Sequence, residues 1–394
     1  MQKKIIVLKK GREKSVLNRH PWIFSGAVAE LPYGENGEII SVFSSDKKWL
    51  GYGFLDPSSQ IICRLFEFSQ EEIDVTSADY WYNKIKQAFD LRKKYIIADK
   101  TNCFRLIHAE GDFFPGLIID IYDSVAVIQL LIKGTEKIKD FIIDSLKKIG
   151  FYNVYLKNKI SANVLEKVTT ENGWLVSKID STSITVKENG FQFKIDIEKG
   201  QKTGFFIDQR ENRKLVKEYS AGKNVLNAFS YTGGFSVYAC AGNASRVDSV
   251  DSSKDASLLC DENIRLNFGE RAPHHLFTSD VFEFLRQTTS NYDLMIIDPP
   301  AFAKNARSVP NAARGYKDLN HQCFKKINKE GILFTFSCSQ HIDRDLFRKI
   351  IFSAAADARR DVQILHQLTQ PIDHPISIYH PEGEYLKGLV LKVS

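Results

Sequence analysis

Short apolar stretches alternate with polar turns over the first seventy residues of the chain. Between residues 3 and 68 these stretches read IIVL, WIFSGAV, EIISVF, WLGYGFL and IICRLFEF, and turn-forming residues such as Pro32, Gly37 and Pro57 separate them. Short alternating runs bounded in this way are typical of strands in an all-β domain. The pattern predicts a small β barrel or sandwich over residues 1–70.

Residues 71–190 combine one long helix with further strands. Trp81, Ile85 and Phe89 recur at helical spacing and predict a linker helix over about residues 78–95. Between about residues 104 and 197, the strand-like segments FRLIHAE, GLIIDIY, VAVIQLLI, NVYLKN, SITV and FQFKIDI surround a single amphipathic segment, TEKIKDFIIDSLKKIG. Strands on both sides of a lone helix indicate a central α+β domain.

Strand and helix patterns alternate in the last part of the chain, which we assign to a domain over residues 191–394. In order, the segments are NVLNAF, GGFSVYACA, SRVDSV, KDASLLCDENIRLN, HLFTS, SDVFEFLRQ and YDLMIID. Short apolar strands that each precede a helix are typical of a parallel sheet in a doubly wound α/β domain. Ligands of such domains bind beyond the carboxyl ends of the strands.

Composition indicates a globular protein of a reducing compartment. Of 394 residues, 43% are hydrophobic and 26% are charged, and no apolar run is long enough to span a membrane. Six scattered cysteines form no CxxC pair, which argues against a disulfide framework and against a bound metal. We therefore expect a cytoplasmic protein without a membrane partner.

Positive charge is concentrated at the start of the chain. Residues 1–20 contain seven lysines and arginines and one glutamate, a net charge of +6 that equals the charge of the whole chain. Clustered lysine and arginine favour a polyanionic partner such as nucleic acid. A solvated surface that aids solubility is the alternative interpretation.

Polar residues close the successive strands of the predicted α/β domain. They are the Gly233–Gly234 turn, Asp251, Asp280, Asp298 in IIDPPAF, and Cys338 in FTFSCS. A carboxylate beyond the second strand suits the ribose hydroxyls of a nucleotide, but the GxGxxG spacing of a dinucleotide site is absent. The set favours S-adenosylmethionine, which has no phosphate groups. Each acid taken alone could instead cap a helix.

Several of these motifs together resemble one enzyme family. The stretches LNAFSYTGGFSVYA, SVDSS, IIDPPAF, RGYKDLN and FTFSCS, with GQKTGFFIDQR upstream, resemble the ribosomal RNA large subunit methyltransferase I family, which makes 5-methylcytosine. WIFSGAVAE resembles its PUA domain, RLIHAEGDFFPGLIIDIY the start of its central domain, and HPEGEYLKGLVLKV its carboxyl end. The resemblance covers essentially the whole chain.

The resemblance implies a fold, a cofactor and a partner. The expected architecture is an N-terminal β-barrel PUA domain, a central α+β domain and a C-terminal Rossmann-like class I methyltransferase domain of α/β type. The expected methyl donor is S-adenosylmethionine, and the expected partner is large-subunit (23S) ribosomal RNA. Whether the chain forms a homodimer is left open.

The resemblance also assigns a cofactor site. Asp251 resembles the ribose-binding acid, Asp280 the residue beside the adenine, and Asp298 the acid between cofactor and target base. Gln201 and Arg210 resemble part of a flap over the cofactor, and a solvated loop between domains is their alternative. The full cofactor set is Gln201, Arg210, Asn227, Phe229, Ser230, Tyr231, Gly233, Asp251, Asp280 and Asp298.

Cys338 resembles the nucleophile of the family, and with Asp298 it completes the expected catalytic pair. Carbon C5 of cytosine accepts a methyl group only after a nucleophile adds to C6, and a thiolate can both add and leave. A free cysteine taken alone is more often a core residue. Many RNA cytosine-5 methyltransferases carry a second cysteine where this chain has DPPAF, so the base that removes the C5 proton stays open between Asp298 and a water molecule.

The segment AKNARSVPNAARGYK, residues 303–317, contains no acidic residue and is interpreted as a loop that clamps RNA over the site. Its expected RNA-binding residues are Lys304, Arg307, Arg314, Tyr316 and Lys317. Tyr316 and Phe302 are expected to stack on bases, as is common in recognition of single-stranded RNA. A mobile surface loop is the alternative.

Two other functions fit parts of the pattern. DPPAF is close to the acid-Pro-Pro-aromatic motif of methyltransferases that act on exocyclic amines, which need no covalent step. An RNA-binding ribosome assembly factor with an inactive methyltransferase domain is the second alternative. The row of acids at the strand ends argues against the latter.

Overall fold

The structure of the chain, a computed structural model, describes residues 4–30, 33–69, 71–96, 100–158 and 170–394. The chain divides into two units. The first consists of Met1–Lys187, Asp196–Ile207 and Ile372–Gly383, and the second of Glu188–Ile195, Asp208–Pro371 and Glu384–Ser394. The domain boundaries after residues 70 and 190 stay predictions.

The first unit begins with the predicted β barrel. Its elements are β1 (Ile5–Val7), α1 (Lys14–Leu17), β2 (Trp22–Phe24), β3 (Ile39–Phe43), β4 (Trp49–Leu55) and β5 (Ile61–Glu67). The strands form a sheet in the order β1-β3-β4-β5-β2. An antiparallel bridge between Leu8 and Val28 joins the chain beyond β1 to the chain beyond β2, so the two edges of the sheet meet and leave no open edge there.

The α+β region follows in the same unit. It consists of α2 (Ala78–Tyr95), β6 (Cys103–His108), β7 (Leu117–Tyr122), β8 (Val125–Leu130), α3 (Lys133–Lys137), α4 (Lys139–Lys148), β9 (Asn153–Leu156) and β10 (Gly173–Val176), and the sheet order is β10-β9-β8-β7-β6. The predicted helix over 78–95 is confirmed, with Ser77 as its cap. The predicted single amphipathic helix is wrong in one respect, since the buried Ile138 separates α3 from α4.

Two later segments of the chain, Asp196–Ile207 and Ile372–Gly383, belong to the first unit and make buried polar contacts there. Arg105 and Asp120 form an ion pair in which both side chains are almost fully buried. Thr203 donates to the same carboxylate over 2.6 Å, and Asp373 accepts from the Arg105 amide over 3.0 Å. Because buried charges require partners, these contacts explain why both segments belong to this unit.

The second unit is built around one large sheet. Residues of the hairpin of β11 (Ser183–Glu188) and β12 (Phe191–Asp196) are divided between the two units. The further elements of the second unit are α5 (Arg210–Tyr219), β13 (Asn224–Ala228), α6 (Gly234–Ala241), β14 (Arg246–Asp251), α7 (Lys254–Phe268), β15 (His274–Thr278), α8 (Val281–Gln287), β16 (Tyr292–Ile297), α9 (Val309–Lys326), β17 (Ile327–Ser337), α10 (Arg344–Asp357), β18 (Val362–Leu368) and β19 (Lys387–Val393). The sheet order is β15-β14-β13-β16-β17-β19-β18. The predicted doubly wound α/β domain is confirmed.

Strand register brings the carboxyl ends of the parallel strands to one edge. Ala228 of β13 pairs with Val250 of β14 and with Ile297 of β16. Ile297 in turn pairs with Thr335 of β17. Residues that follow these four positions therefore leave the sheet at the same level, which is where ligands of such sheets bind.

The last strand of the chain runs against the others in this sheet. β19 lies antiparallel to both β17 and β18, and its first residue, Lys387, pairs with Ser337 at the end of β17. This arrangement returns residues near the carboxyl terminus to the edge where the parallel strands end. Within the described part of the chain, no helix is both long and apolar enough to cross a membrane.

Candidate active site at the ends of the parallel strands

The loop between β13 and α6 has an unusual backbone. Phe229, Tyr231 and Gly233 have φ angles of 60°, 46° and 79°. Two non-glycine residues with positive φ in one short loop are rare, and such conformations concentrate at ligand sites. Position 233 requires glycine for a second reason, because a Cβ atom there would lie 2.5 Å from the Sγ atom of Cys260.

Three buried polar atoms around this loop have no hydrogen-bond partner among the described residues. They are Asn227 Oδ1, Ser230 Oγ and Thr232 Oγ1, in side chains that are at most 5% exposed. A buried polar atom without a partner costs about 1–3 kcal/mol, so such groups are uncommon unless a ligand satisfies them. The atoms suit a cofactor with amine, carboxylate and hydroxyl groups.

Asp251 connects this loop to the end of β14. Its Oδ2 atom accepts from the Tyr231 amide and its Oδ1 atom from the Ser253 amide, both over 2.9 Å. The cap of α7 is Ser253, whose hydroxyl accepts from Ala256, so Asp251 is not a simple helix cap. Two amide contacts fix the orientation of this half-buried carboxylate, and the ribose-binding role expected of Asp251 stays a prediction.

Asp280 has a different environment. It caps α8 by accepting a 3.0 Å hydrogen bond from the Glu283 amide, and its side chain is exposed. The expectation that it lies beside the adenine stays a prediction, since helix capping already accounts for an aspartate at this position.

The predicted ribose-binding role of Asp251 has a measurable consequence: Asp251→Asn is expected to weaken binding of S-adenosylmethionine by about tenfold to a hundredfold, since a charge-assisted hydrogen bond would be lost. Isothermal titration calorimetry measures this effect directly. Asp255→Asn is the matched control, because Asp255 is an exposed acid in the first turn of α7. Equal affinity in the Asp251 variant and the control would remove Asp251 from the site.

Asp298 is half-buried directly after β16 and is held by a side chain that sequence reasoning missed. Gln209 Nε2 donates to Asp298 Oδ2 over 3.0 Å, and Gln209 Oε1 accepts from Asn212 over 2.6 Å. Gln209 and Asn212 are at most 3% exposed. Because its amide is fixed from both sides, Gln209 orients the carboxylate. The motif GQKTGFFIDQR contains Gln209, but nothing in its spacing distinguishes this residue from its neighbours.

The two residues predicted from that motif belong to different units of the structure. Arg210 is the first residue of α5, is 2% exposed and pairs with Glu211 over 3.0 Å. Gln201 belongs to the first unit, where its carbonyl oxygen accepts from the Gly204 amide. Their role in a flap over the cofactor stays a prediction.

Two buried serines and one tyrosine hold the segment that contains Cys338. Ser337 Oγ donates to the Tyr316 hydroxyl over 3.1 Å, and the Tyr316 hydroxyl lies 3.0 Å from Ser339 Oγ. The Ala303 amide donates to Ser339 Oγ over 3.2 Å, which joins the chain after DPPAF to the same cluster. The flanking side chains are therefore directed into the protein, and Cys338 between them is half-buried.

The prediction that Tyr316 stacks on RNA bases is wrong for this structure. Tyr316 lies on α9, is fully buried and packs against Phe302 with ring centroids 4.5 Å apart. Burial raises the pKa of its phenol, and its hydroxyl holds the two serines beside Cys338. Tyr316 therefore supports the segment that contains Cys338 from inside.

The sulfur of Cys338 lies beside the loop that carries Asp298. Its Sγ atom is 3.9 Å from the carbonyl oxygen of Pro299, the residue after Asp298. The other five cysteines are buried, and burial raises the pKa of the thiols of Cys240 and Cys260 to about 12. Buried neutral thiols are inert, so Cys338 is the cysteine whose exposure suits a nucleophile.

The predicted RNA clamp is a loop only at its start. A capping box at Asn305 and Ser308 leads into α9, so the expected loop over 303–317 is wrong beyond Ser308. Lys304, Arg307 and Arg314 are exposed, as a phosphate contact requires. Lys317 pairs with Asp357 over 2.7 Å, which offsets its charge.

Comparisons with known proteins show which proteins this chain is similar to. Residues 159–374 match the family model of S-adenosylmethionine-dependent methyltransferases, and residues 6–68 match a PUA-like domain. The chain is 40% identical over 397 residues to a ribosomal RNA large subunit methyltransferase I from Alteromonas mediterranea, with 99% of this chain and 98% of the relative covered. It is 39% identical to the protein of that name from Erwinia tasmaniensis, with 98% and 99% covered.

Solved structures show the same fold over the full length. A structure described as a methyltransferase complexed with SAH has a TM-score of 0.84 and 25% identity, and covers 98% of this chain and 99% of its own. A structure described as a SAM-dependent methyltransferase from Streptococcus mutans has a TM-score of 0.83, 24% identity and the same coverage.

Proposed function

The chain belongs to the ribosomal RNA large subunit methyltransferase I family, and we propose that it methylates C5 of a cytosine in large-subunit ribosomal RNA with Cys338 as nucleophile. It is an S-adenosylmethionine-dependent methyltransferase. The observation that carries the finer proposal is the position of Cys338. Its half-buried thiol lies at the strand ends, beside the DPPAF loop, between two serines that are directed inward.

The residues present fit S-adenosylmethionine. Asn227, Ser230 and Thr232 offer unpartnered polar atoms, and Asp251 offers a fixed carboxylate. When bound, this cofactor supplies an activated methyl group on a sulfonium. None of these residues provides the phosphate-binding charge that a dinucleotide would need.

Cys338 would start the reaction as a thiolate. The sulfur adds to C6 of the cytosine, the C5–C6 electron pair moves to C5, and C5 becomes nucleophilic enough to form a bond to carbon. After methylation, loss of the C5 proton re-forms the double bond and expels the thiolate. A thiolate suits both steps because it is a good nucleophile and a good leaving group.

Asp298 is the candidate base for removal of the C5 proton, because it lies on the loop beside Cys338. Gln209 orients its carboxylate through a 3.0 Å hydrogen bond, and a general base has to be within hydrogen-bond reach of the proton that it removes. Asp298 acting directly, or through a water molecule, accounts for a chain that has DPPAF where related enzymes have a second cysteine.

Two exposed surfaces support RNA as the partner. In the second unit, Lys304, Arg307 and Arg314 flank the chain that leaves DPPAF. In the first unit, a cavity of about 310 Å³ is lined in part by Arg12 and Trp22. The exposed basic residues of the predicted N-terminal patch are Lys4, Lys9, Lys10, Arg12, Lys14 and Arg19, and Lys3 lies outside the described residues. Basic groups beside aromatic rings suit single-stranded RNA.

Replacing Lys304, Arg307 and Arg314 together with alanine is expected to weaken RNA binding and to lower its salt dependence. Each lost phosphate contact removes about 0.7–0.9 from the slope of log K against log salt concentration, so the slope should fall by about two units. Binding measured between about 50 and 200 mM salt gives the slope. Exchanging lysine for arginine and arginine for lysine at the same three positions keeps the charge and should keep the slope; an unchanged slope in the alanine variant would contradict the assignment.

Trapping on RNA that contains 5-fluorocytidine tests the proposed function. Fluorine at C5 cannot be removed as a proton, so the enzyme should stay covalently attached after methylation. We expect an adduct that requires S-adenosylmethionine and that maps to Cys338. Methylation of ordinary RNA without any adduct on the fluorinated RNA would instead indicate transfer to an exocyclic amine.

A further inference from the structure

A buried lysine lies behind the segment that contains Cys338. Lys387, the first residue of β19, is 3% exposed and pairs in register with Ser337. Its ammonium group donates to the carbonyl oxygens of Ser339 and Tyr385, each over 2.8 Å. Both acceptors are neutral, so neither of these contacts compensates the charge. Burying an ammonium in this way is unfavourable, and groups that carry such a cost concentrate at functional sites.

The contact to Ser339 has a direct geometrical consequence. The carbonyl that accepts from Lys387 belongs to the residue after Cys338, while the Ser337 and Ser339 hydroxyls are bonded to Tyr316. The turn is therefore held from β19 and from α9 at the same time. This restricts the backbone that aims the thiol away from the core.

Lys387 and Cys338 also interact electrostatically. Burial lowers the pKa of Lys387 to about 8, and the negative charge of a Cys338 thiolate opposes that lowering. Electrostatic coupling is reciprocal, so the ammonium favours the thiolate of Cys338 by the same free energy. The other charged groups that act on Lys387 are Glu384, Arg344 and Asp343. Tyr316 interacts electrostatically with Cys338, and Asp298 precedes Pro299, whose carbonyl lies beside the sulfur.

We propose that Lys387 is a positioning residue for the nucleophile: its ammonium group holds the turn after Cys338 and stabilises the thiolate that attacks the pyrimidine. Ionisation of the thiol releases its proton to water and leaves a thiolate beside the ammonium. This inference rests on the proposed function for its role in catalysis. The coupling between the two side chains can be measured without RNA.

Alkylation by iodoacetamide, followed by mass spectrometry of the Cys338 peptide over a range of pH, tests the proposal in the full chain. Cys338 is the half-buried cysteine and the other five are buried, so the folded protein should react first at position 338. In the unmodified protein the pH midpoint of alkylation should lie below the value of about 8.5 typical of a free thiol. A midpoint at or above that value would overturn the proposal, and this measurement needs no variant.

Lys387→Met should shift the midpoint upward by about one pH unit or more, since the charge is lost while most of the side-chain length is kept. Lys387→Arg keeps the charge, so its midpoint should stay close to that of the unmodified protein. Lys392→Met is the matched control on the same strand, because Lys392 pairs with Glu330 at a position half-exposed to solvent. The midpoint is the deciding quantity, because a more basic thiolate is also more reactive once formed.

The outcomes separate this inference from the proposed function. An unmoved midpoint in a folded Lys387→Met protein overturns the role of Lys387, even if the 5-fluorocytidine adduct forms. A shifted midpoint without any adduct on RNA supports the coupling and removes the C5 mechanism instead. Thermal melting shows which variants are folded. Should Lys387→Met fail to fold, the midpoint of the unmodified protein still decides.

Discussion

Cys338→Ser should lower the rate of methyl transfer to cytosine by about a thousandfold or more, while binding of S-adenosylmethionine changes little. A serine hydroxyl at neutral pH adds to C6 far more slowly than a thiolate, and C5 stays unreactive until that addition occurs. The Cys338 side chain is half-buried at the edge of the sheet, and its polar neighbours Ser337 and Ser339 bond to Tyr316 rather than to the thiol. The substitution should therefore leave the fold intact.

Methyl incorporation into large-subunit RNA under single-turnover conditions measures this loss, with cofactor titration beside it. Cys323→Ala is the matched control, since Cys323 is a fully buried cysteine on α9. Burial raises the pKa of its thiol, so we expect it to have no part in the chemistry. Near-normal transfer by the Cys338→Ser protein would rule out the covalent mechanism and favour transfer to an exocyclic amine.

Arg213→Met should destabilise the second unit by about 3–5 kcal/mol, because it leaves the Glu188 carboxylate buried and without its counter-charge. The Arg213 guanidinium contacts Glu188 through two hydrogen bonds of 2.8 and 2.6 Å, and both side chains are at most 2% exposed. Arg213 also lies under the start of α6, since a Cβ atom on Gly234 would be 3.1 Å from its Cδ atom. Binding of S-adenosylmethionine should weaken as well.

Urea denaturation of the variant against the unmodified protein gives the change in the free energy of unfolding. Arg265→Met is the surface control, because Arg265 and Asp261 pair over 3.0 Å with both side chains exposed. That pair should contribute less than about 1 kcal/mol. Combining Arg213→Met with Glu188→Gln removes the unpaired charge and should recover part of the stability. Similar losses at Arg213 and Arg265 would contradict the assignment.

The alternation of strands and helices was predictable because each element carries a local pattern. The parallel strands of the second unit are short apolar runs, and the helix over 78–95 has its apolar residues at helical spacing. Positions that close a strand could also be identified, which is how Asp251, Asp298 and Cys338 were found together. Each of these signals is formed by residues within a few positions of one another.

The start of α9 shows where local signals gave the wrong prediction. The basic segment over residues 303–317, which contains no acidic residue, was interpreted as a loop, but Pro310 lies in the first turn of a helix. An amide there has no partner within the helix, so a proline at that position costs little. The error placed Tyr316 on a surface loop, whereas the helix buries it behind the nucleophile.

The sequence by itself determined the class of fold and the row of polar strand ends, because strand period and turn residues are properties of neighbouring positions. Its resemblance to a known family is what singled out Cys338 as the nucleophile candidate. Only the tertiary structure decided that Gln209 holds Asp298 across a separation of 89 residues, and that Lys387 reaches the carbonyl of Ser339 across 48. Those contacts arise from the packing of α5 and β19 against the strand ends. A hydrogen bond between distant segments depends on where the whole fold places two backbones, and no local spacing encodes that distance.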